Sequence, residues 1–246
     1  MSDETNSYLH HLVRTGSTAL GQEQLHPNRL HSLPEDREAK IVDVGCSWGA
    51  LLLSLWNAGY TNLYGVERDK ELAAEAERRC GIAAGRIRIT HQDAIEFFEQ
   101  TSEVFDRVLV FHVLEHFPEA AGKRLLNAIR QRLTSRGRVV IEVPNLACIT
   151  SVNMQFSDIT HLTGFTEYSL SQVLDNVGFT TVRIECPKPP LKLWRLGRGN
   201  SGIGWHANRA LHQLLYGITN SGPRPTCVSP ALLITAGISG DNELSR

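Results

Sequence analysis

The run Ile41-Val42-Asp43-Val44-Gly45-Cys46-Ser47-Trp48-Gly49, followed one helix-length later by Gly65-Val66-Glu67, constrains the fold of this chain more than any other feature. It reads as a buried strand, a tight glycine turn, a helix, a second strand and an acidic residue at that strand's end. Gly45 lets the backbone turn sharply and come close to a ligand. Glu67 follows Gly45 by 22 residues, where a carboxylate can accept both hydroxyls of a ribose.

Residues 39–145 continue that alternation of apolar strands and amphipathic helices. Strands are expected at 41–45, 62–66, 86–91, 106–111 and 138–143, and helices at 49–58, 69–80, 94–99 and 118–133. Asp69 is suited to cap the second helix and Gly59 to end the first. Such alternation implies an α/β fold with a largely parallel sheet whose ligands gather at the carboxyl ends of the strands. Thr181–Cys186 and Pro230–Ile238 read as two further strands, giving a Rossmann-like, doubly wound, seven-stranded sheet with an antiparallel last strand. At 246 residues and 41% hydrophobic content the chain suits one globular core with an appendage.

The glycine turn itself discriminates among ligands. A dinucleotide site wants Gly-x-Gly-x-x-Gly with pyrophosphate on the helix N-terminus. Here Trp48 stands in the turn, and Asp43 would repel pyrophosphate but suits a ligand carrying ammonium and sulfonium groups. On these residues the chain resembles the class I S-adenosylmethionine-dependent methyltransferases, in particular the ubiquinone-biosynthesis and polysaccharide-associated O-methyltransferases. Ser47 replaces the middle glycine of their first motif. The resemblance implies S-adenosylmethionine as cofactor, held by Asp43, Gly45, Cys46, Ser47, Gly49, Glu67 and Arg68. It carries the adenine contact to Asp93, with Ala94, and the border of the methionine end to Phe111 and His112.

Two further segments carry the resemblance. Leu114-Glu115-His116 follows the fourth strand. Asp158-Ile-Thr-His161-Leu162-Thr-Gly-Phe165 precedes a helix capped by Thr166 or Ser169 and ended by Gly178. If the acceptor is a hydroxyl, a histidine is matched to removing its proton at neutral pH. His161 is the first choice of base, with Asp158 orienting its ring, and His116 or His112 is next. The primary reading involves no metal; the alternative, implied by some relatives, is a divalent ion held by His112, Glu115 and His116.

The chain divides into an N-terminal cap (1–38), the core (39–186), an insertion (187–229) and the last strand with its tail (230–246). The insertion contains six Lys or Arg, Trp194, Trp205 and a helix-like stretch at Ala207–Tyr216, and no Asp or Glu occurs from Cys186 to Gly240. Three readings fit it: a substrate lid, a contact for an anionic acceptor, or a weak peripheral contact with an anionic membrane. The net charge of −1 gives no reason to expect nucleic acid. Five scattered cysteines without a Cys-x-x-Cys pair suggest reduced thiols in a cytoplasmic protein, with the inner face of the membrane as an alternative location. The expected activity is O-methylation of a sugar, glycan or carrier-linked hydroxyl. The alternatives are a quinone precursor or natural-product phenol, a non-catalytic partner subunit that binds the cofactor, and an NAD-dependent oxidoreductase.

Overall fold

A computed structural model of the chain describes residues 29, 31–83, 85–186, 202–219 and 222–238. Residues 1–28 of the expected N-terminal cap, and Lys188, Lys192, Trp194, Arg195 and Arg198, lie outside the described residues. In chain order the elements are β1 (Lys40–Val44), α1 (Ala50–Asn57), β2 (Asn62–Glu67), α2 (Lys70–Cys80), β3 (Ile87–His91), α3 (Ala94–Gln100) and β4 (Phe105–Phe111). They continue with α4 (Glu119–Arg130), β5 (Leu133–Pro144), α5 (Ser151–Phe156), α6 (Glu167–Val177), β6 (Thr180–Glu185), α7 (Gly202–Thr219) and β7 (Ala231–Gly237). The sheet runs β3-β2-β1-β4-β5-β7-β6, with β7 antiparallel to both β5 and β6. The strand order reverses between β1 and β4, the point at which open α/β sheets bind ligands.

Alternation along β1 divides the core. Val42 and Val44 pack with Leu125, Leu126 and Ile129 of α4 on one face. Ile41 packs with Leu51, Leu52 and Leu55 of α1 on the other. Both faces of the central strands are therefore apolar, as a sheet covered by helices on two sides requires. Local chemistry sets the helix starts: the Asp69 carboxylate accepts from the Glu71 and Leu72 N–H groups, and Thr166 and Ser169 form a reciprocal capping box on α6.

Three departures from the sequence expectations have physical causes. Thr134-Ser-Arg-Gly137 reads as a turn, yet Leu133 pairs with Phe105 across a register shift, so β5 begins well before residue 138. Helix α5 is short and polar enough to be read as loop. Cys186 and Cys227, expected as separate thiols, are joined by a disulfide with Cα atoms 5.2 Å apart. They are distant in sequence, and the pairing of β6 with β7 brings them together. Cys46, Cys80 and Cys148 are buried free thiols.

Candidate active site

The carboxyl ends of β1 to β5 open into a cavity of about 570 Å³. Its first wall is the glycine turn. Gly45, Ser47 and Gly49 have φ of 70°, 49° and 79°, so the backbone visits the left-handed region three times within five residues. The Gly45 and Cys46 N–H groups both donate to the Val66 carbonyl, at 2.8 and 3.2 Å, which ties the turn to β2. A Cβ on Gly45 would stand 2.7 Å from Val113 Cγ2, so the position admits glycine for space as well as for φ.

Glu67 closes this wall. Its Oε2 accepts from the Ser47 N–H at 2.9 Å and its Oε1 from the Asp69 N–H at 2.8 Å. Burial pushes its carboxyl up, while those donors pull it back. Asp43 is also buried on the cavity wall. Burial raises the Cys46 thiol strongly, and the Asp43 and Glu67 carboxylates add to the shift, so Cys46 stays a neutral thiol and acts as packing.

Arg68, Asp93, Ala94, Phe111 and His112 also line the cavity. Asp93 Oδ1 accepts from the N–H groups of Ile95 and Glu96, capping α3 from the cavity wall. Gly49 departs from expectation. It precedes α1 and is not among the lining residues; a Cβ there would meet Cys80 Sγ at 2.8 Å, so its task is close packing against α2.

His112 has φ of 54°, unusual for a residue with a Cβ. Its Nδ1 lies 3.3 Å from Glu115 Oε1 and its Nε2 3.3 Å from Glu142 Oε1. Glu142 in turn accepts two bonds from the Arg29 guanidinium, at 2.8 and 2.9 Å, and Arg29 stacks over Phe111 at 4.4 Å. Burial opposes charge on His112, but the two glutamates outweigh it and hold its pKa up to about 9. Burial likewise opposes charge on Glu142, and His112 and Arg29 hold it down to about 2. The side chain of His112 keeps 40% of its surface open, so solvent in the cavity moderates this coupling.

A second cluster faces the same space. Thr160 Oγ1 donates to Asp158 Oδ1 at 2.6 Å, and His116 Nδ1 lies 2.9 Å from Thr160 Oγ1. The carboxylate can only accept, so the Thr160 hydroxyl proton is committed to it and Thr160 accepts from His116 Nδ1–H. Nε2 is then the basic nitrogen of His116. Burial lowers the His116 pKa, and the neighbouring His161 contributes to the lowering. The sequence reading pairs Asp158 with His161; in the fold the Asp158 Oδ1 also connects through Thr160 to His116. His161 Nδ1 sits 3.1 Å from the Gln155 carbonyl, and its ring meets that of His116 edge-on at 4.7 Å. His116, Asp158 and His161 all line the cavity.

The metal candidates rearrange. Both ring nitrogens of His112 face carboxylates, and as an imidazolium it has no lone pair for an ion. Glu115, His116 and His161 bring one ligand atom each within 4.8 Å of one another, and the buried Glu115 Oε2 has no hydrogen-bond partner among the described residues. That donor set would suit a divalent transition metal such as zinc.

Sequence reasoning missed Arg29, Thr160, Gln92, Met154 and Ser157 as site residues. Only Arg29 left a signal: Glu142 stands in an apolar strand at the binding edge, and a buried carboxylate there needs a cation. Asn145 is fully buried, its amide donating to the carbonyls of Cys227 and Ser229 at 2.9 and 3.0 Å, so it braces the loop behind the cavity.

Comparison with known proteins agrees with this fold. Residues 20–184 match the family model of a methyltransferase domain. An uncharacterized protein of Haemophilus influenzae is 26% identical over 155 residues, which are 59% of this chain and 59% of that one. The chain thus spans under two thirds of that curated relative's length. Among solved structures, a SAM-dependent methyltransferase from Archaeoglobus fulgidus superposes with a TM-score of 0.60 at 20% identity, covering 94% of this chain and 93% of the other. An O-methyltransferase of neocarzinostatin biosynthesis, solved with S-adenosylmethionine and 2-hydroxy-5-methyl naphthoic acid, gives 0.63 at 14% identity over 96% and 58% of the two chains.

Proposed function

Because the chain belongs to the methyltransferase domain family, we propose that it is an S-adenosylmethionine-dependent O-methyltransferase with His116 as general base. The observation that carries this reading is the Asp158–Thr160–His116 relay on the wall of the cavity formed by the glycine turn. The residues fit the cofactor: Asp43 is a carboxylate for the ammonium and sulfonium charges, Glu67 for the ribose hydroxyls and Asp93 for the adenine amino group. When bound, the cofactor supplies a methyl group on a positively charged sulfur.

The protein's own part is positioning and proton removal. His116 Nε2 takes the acceptor's hydroxyl proton as the oxygen gains the methyl group. Thr160 accepts from His116 Nδ1–H throughout, and Asp158 holds Thr160, so the imidazolium that forms is stabilised in place. His161 packs against His116 and fixes its ring plane. The acceptor in this reading is a hydroxyl of a sugar, glycan or carrier-linked small molecule. An aromatic hydroxyl is the second acceptor reading, favoured by the likeness to the neocarzinostatin O-methyltransferase.

A metal-assisted version is the second mechanism, favoured by the spacing of Glu115, His116 and His161 and by the Glu115 Oε2, unpartnered among the described residues. In it these three residues would hold an ion that acidifies the acceptor hydroxyl. A NAD-dependent oxidoreductase fits less well, since the Asp43 carboxylate on the cavity wall would repel a pyrophosphate and the bulky Trp48 stands in the turn. Calorimetric titration with S-adenosylmethionine, S-adenosylhomocysteine and NAD tests the cofactor, and transfer of labelled methyl to hydroxyl acceptors tests the reaction. Binding of NAD alone overturns the proposal, as does binding of S-adenosylmethionine with turnover unchanged in His116→Ala.

A further inference from the structure

Helix α7 lies in the insertion, and none of its residues lines the cavity among the described residues. It meets the acceptor side of the site from behind, through a histidine held at both ring nitrogens. His212 is 1% exposed. Its Nδ1 lies 2.7 Å from the Asn208 carbonyl, one turn earlier in the same helix, and its Nε2 accepts the Ile149 N–H at 2.8 Å. A carbonyl can only accept, so Nδ1 carries the proton and Nε2 is bare. The Asn208 amide donates to the Val228 carbonyl at 3.1 Å, just before β7. The ring is thus fixed in tautomer by its own helix, with its lone pair aimed at a backbone donor 63 residues away.

Ile149 stands at the entrance to α5. Its carbonyl accepts the Val152 N–H at 3.4 Å, and the Cys148 carbonyl accepts the Ser151 N–H at 3.0 Å. A helix of six residues has little stability of its own, so its place depends on ties from outside. Thr150 does not cap its first turn; that hydroxyl pairs with Cys148 Sγ at 3.1 Å. The Ser151 hydroxyl donates to the Pro230 carbonyl at 2.7 Å and holds the turn from the side of β7. His212 holds it from the side of the insertion.

What α5 carries makes that tie matter. Met154, Ser157, Asp158 and His161, on the helix or just after it, line the cavity. The Gln155 carbonyl, in the last turn of α5, lies 3.1 Å from His161 Nδ1. Asp158 begins the connection through Thr160 to His116. A displacement of the helix entrance would therefore carry the wall and both histidines' partners with it, and errors on the order of 1 Å in such positions are costly to a reaction. A histidine that served only the packing of α7 would need no partner on this wall; His212 gives its lone pair to it.

We propose that His212 is a positioning residue: its Nε2 fixes the entrance of α5 and so sets the acceptor wall and the Asp158–Thr160–His116 relay from outside the cavity. Helix α7 is the support of that wall. The effect of His212 on methyl transfer rests on the methyltransferase reading; its effect on the wall does not.

The test compares the full chain with His212→Ala, His212→Gln and His212→Asn by amide hydrogen exchange. Gln can place an amide oxygen where Nε2 stands, and the shorter Asn cannot. We expect the amides of residues 149–157 to exchange about tenfold faster in His212→Ala and His212→Asn, the scale of one hydrogen bond lost at a buried group, and at the parent's rate in His212→Gln. Exchange in β1 and β4, and affinity for S-adenosylhomocysteine, should be the same in all four. The proposal is overturned if His212→Ala exchanges as the parent does, or if the quickening extends equally to β1 and β4. Should His212→Ala not fold, the Gln and Asn variants decide; equal exchange in those two overturns the proposal, because the lone pair then plays no part. Labelled methyl transfer to the hydroxyl acceptors of the preceding test should fall in His212→Ala and His212→Asn and return in His212→Gln, and turnover in His212→Ala equal to the parent's also overturns it. A parent that binds no S-adenosylmethionine would sink the enzymatic reading, and the exchange comparison would still decide whether His212 holds the wall.

Discussion

The Ser47 N–H donates to Glu67 Oε2 at 2.9 Å, so one carboxylate both fixes the shape of the glycine turn and faces the cavity that the turn lines. Replacing Glu67 would remove the carboxylate proposed for the ribose hydroxyls and would also release the backbone beside it.

Glu67→Ala should therefore lower affinity for S-adenosylmethionine by at least about a hundredfold, the loss expected for two charge-assisted hydrogen bonds. Glu67→Gln should do less harm, because its amide oxygen can still accept one of the two N–H groups. Calorimetry on the two variants and the parent decides; equal affinity for all three would remove Glu67 from the site.

For His116→Ala we expect a fall in kcat of about a hundredfold or more with unchanged cofactor affinity, the usual scale of general-base removal. Because burial holds the His116 pKa below its ordinary value, turnover should stay level down to a pH below 6.5 before the acid limb begins. Thr160→Val should lower kcat without eliminating it, since the base remains but loses its orienting acceptor. A pH–rate profile of the parent that titrates above 7 would contradict the assignment.

The buried charge network sets a pH window for stability. The folded-state pKa of His112, about 9, lies above its ordinary 6.5, so its contribution is complete below 6.5 and lost as pH rises through 9. Glu142 is held down to about 2 from 4.5, so its contribution is complete above 4.5 and lost as pH falls toward 2. Both are present in full between pH 4.5 and 6.5. Melting temperatures measured from pH 6.5 to 9.5 should fall more steeply for the parent than for His112→Gln; parallel curves would show that His112 carries no charge in the fold.

Metal dependence separates the two mechanisms. Activity that survives in a sample shown by elemental analysis to be metal-free leaves His116 as the base. Activity lost to chelation, restored by zinc or manganese, and absent in Glu115→Gln would favour the metal-assisted mechanism.

What could be read from the sequence was local. Asp43, Gly45, Ser47 and Glu67 lie within one strand–helix–strand unit, so spacing alone brings them to one edge. The seven-stranded, mostly parallel sheet with an antiparallel last strand followed from alternation and from the family resemblance, whereas the order of its strands was read only from the structure. The relay was not legible, because His116 and Thr160 meet only when the loop after β4 packs against the loop before α6. Asp158 was assigned to the histidine nearer in sequence, and its Oδ1 receives the Thr160 N–H and hydroxyl within a tight turn. The pairing of Arg29 with Glu142 spans much of the chain, so the need of Glu142 for a cation does not say which residue supplies it. The same holds for Cys186 and Cys227, whose meeting depends on two strands pairing.

That disulfide has an evolutionary reading as well. The insertion leaves the sheet at Cys186 and returns at Cys227, where the Cα atoms are 5.2 Å apart, and the Glu167 carboxylate grips the returning backbone at Thr226 and Cys227. The sequence between those points is thus a module whose two ends meet at one place beside the sheet. Such a module can lengthen, shorten or be exchanged without altering the register of β6 or β7, because loop length adds only slowly to the entropy of closure. Relatives built on this plan could thus trade one acceptor, or one surface, for another by swapping this module while the cofactor edge stays as it is.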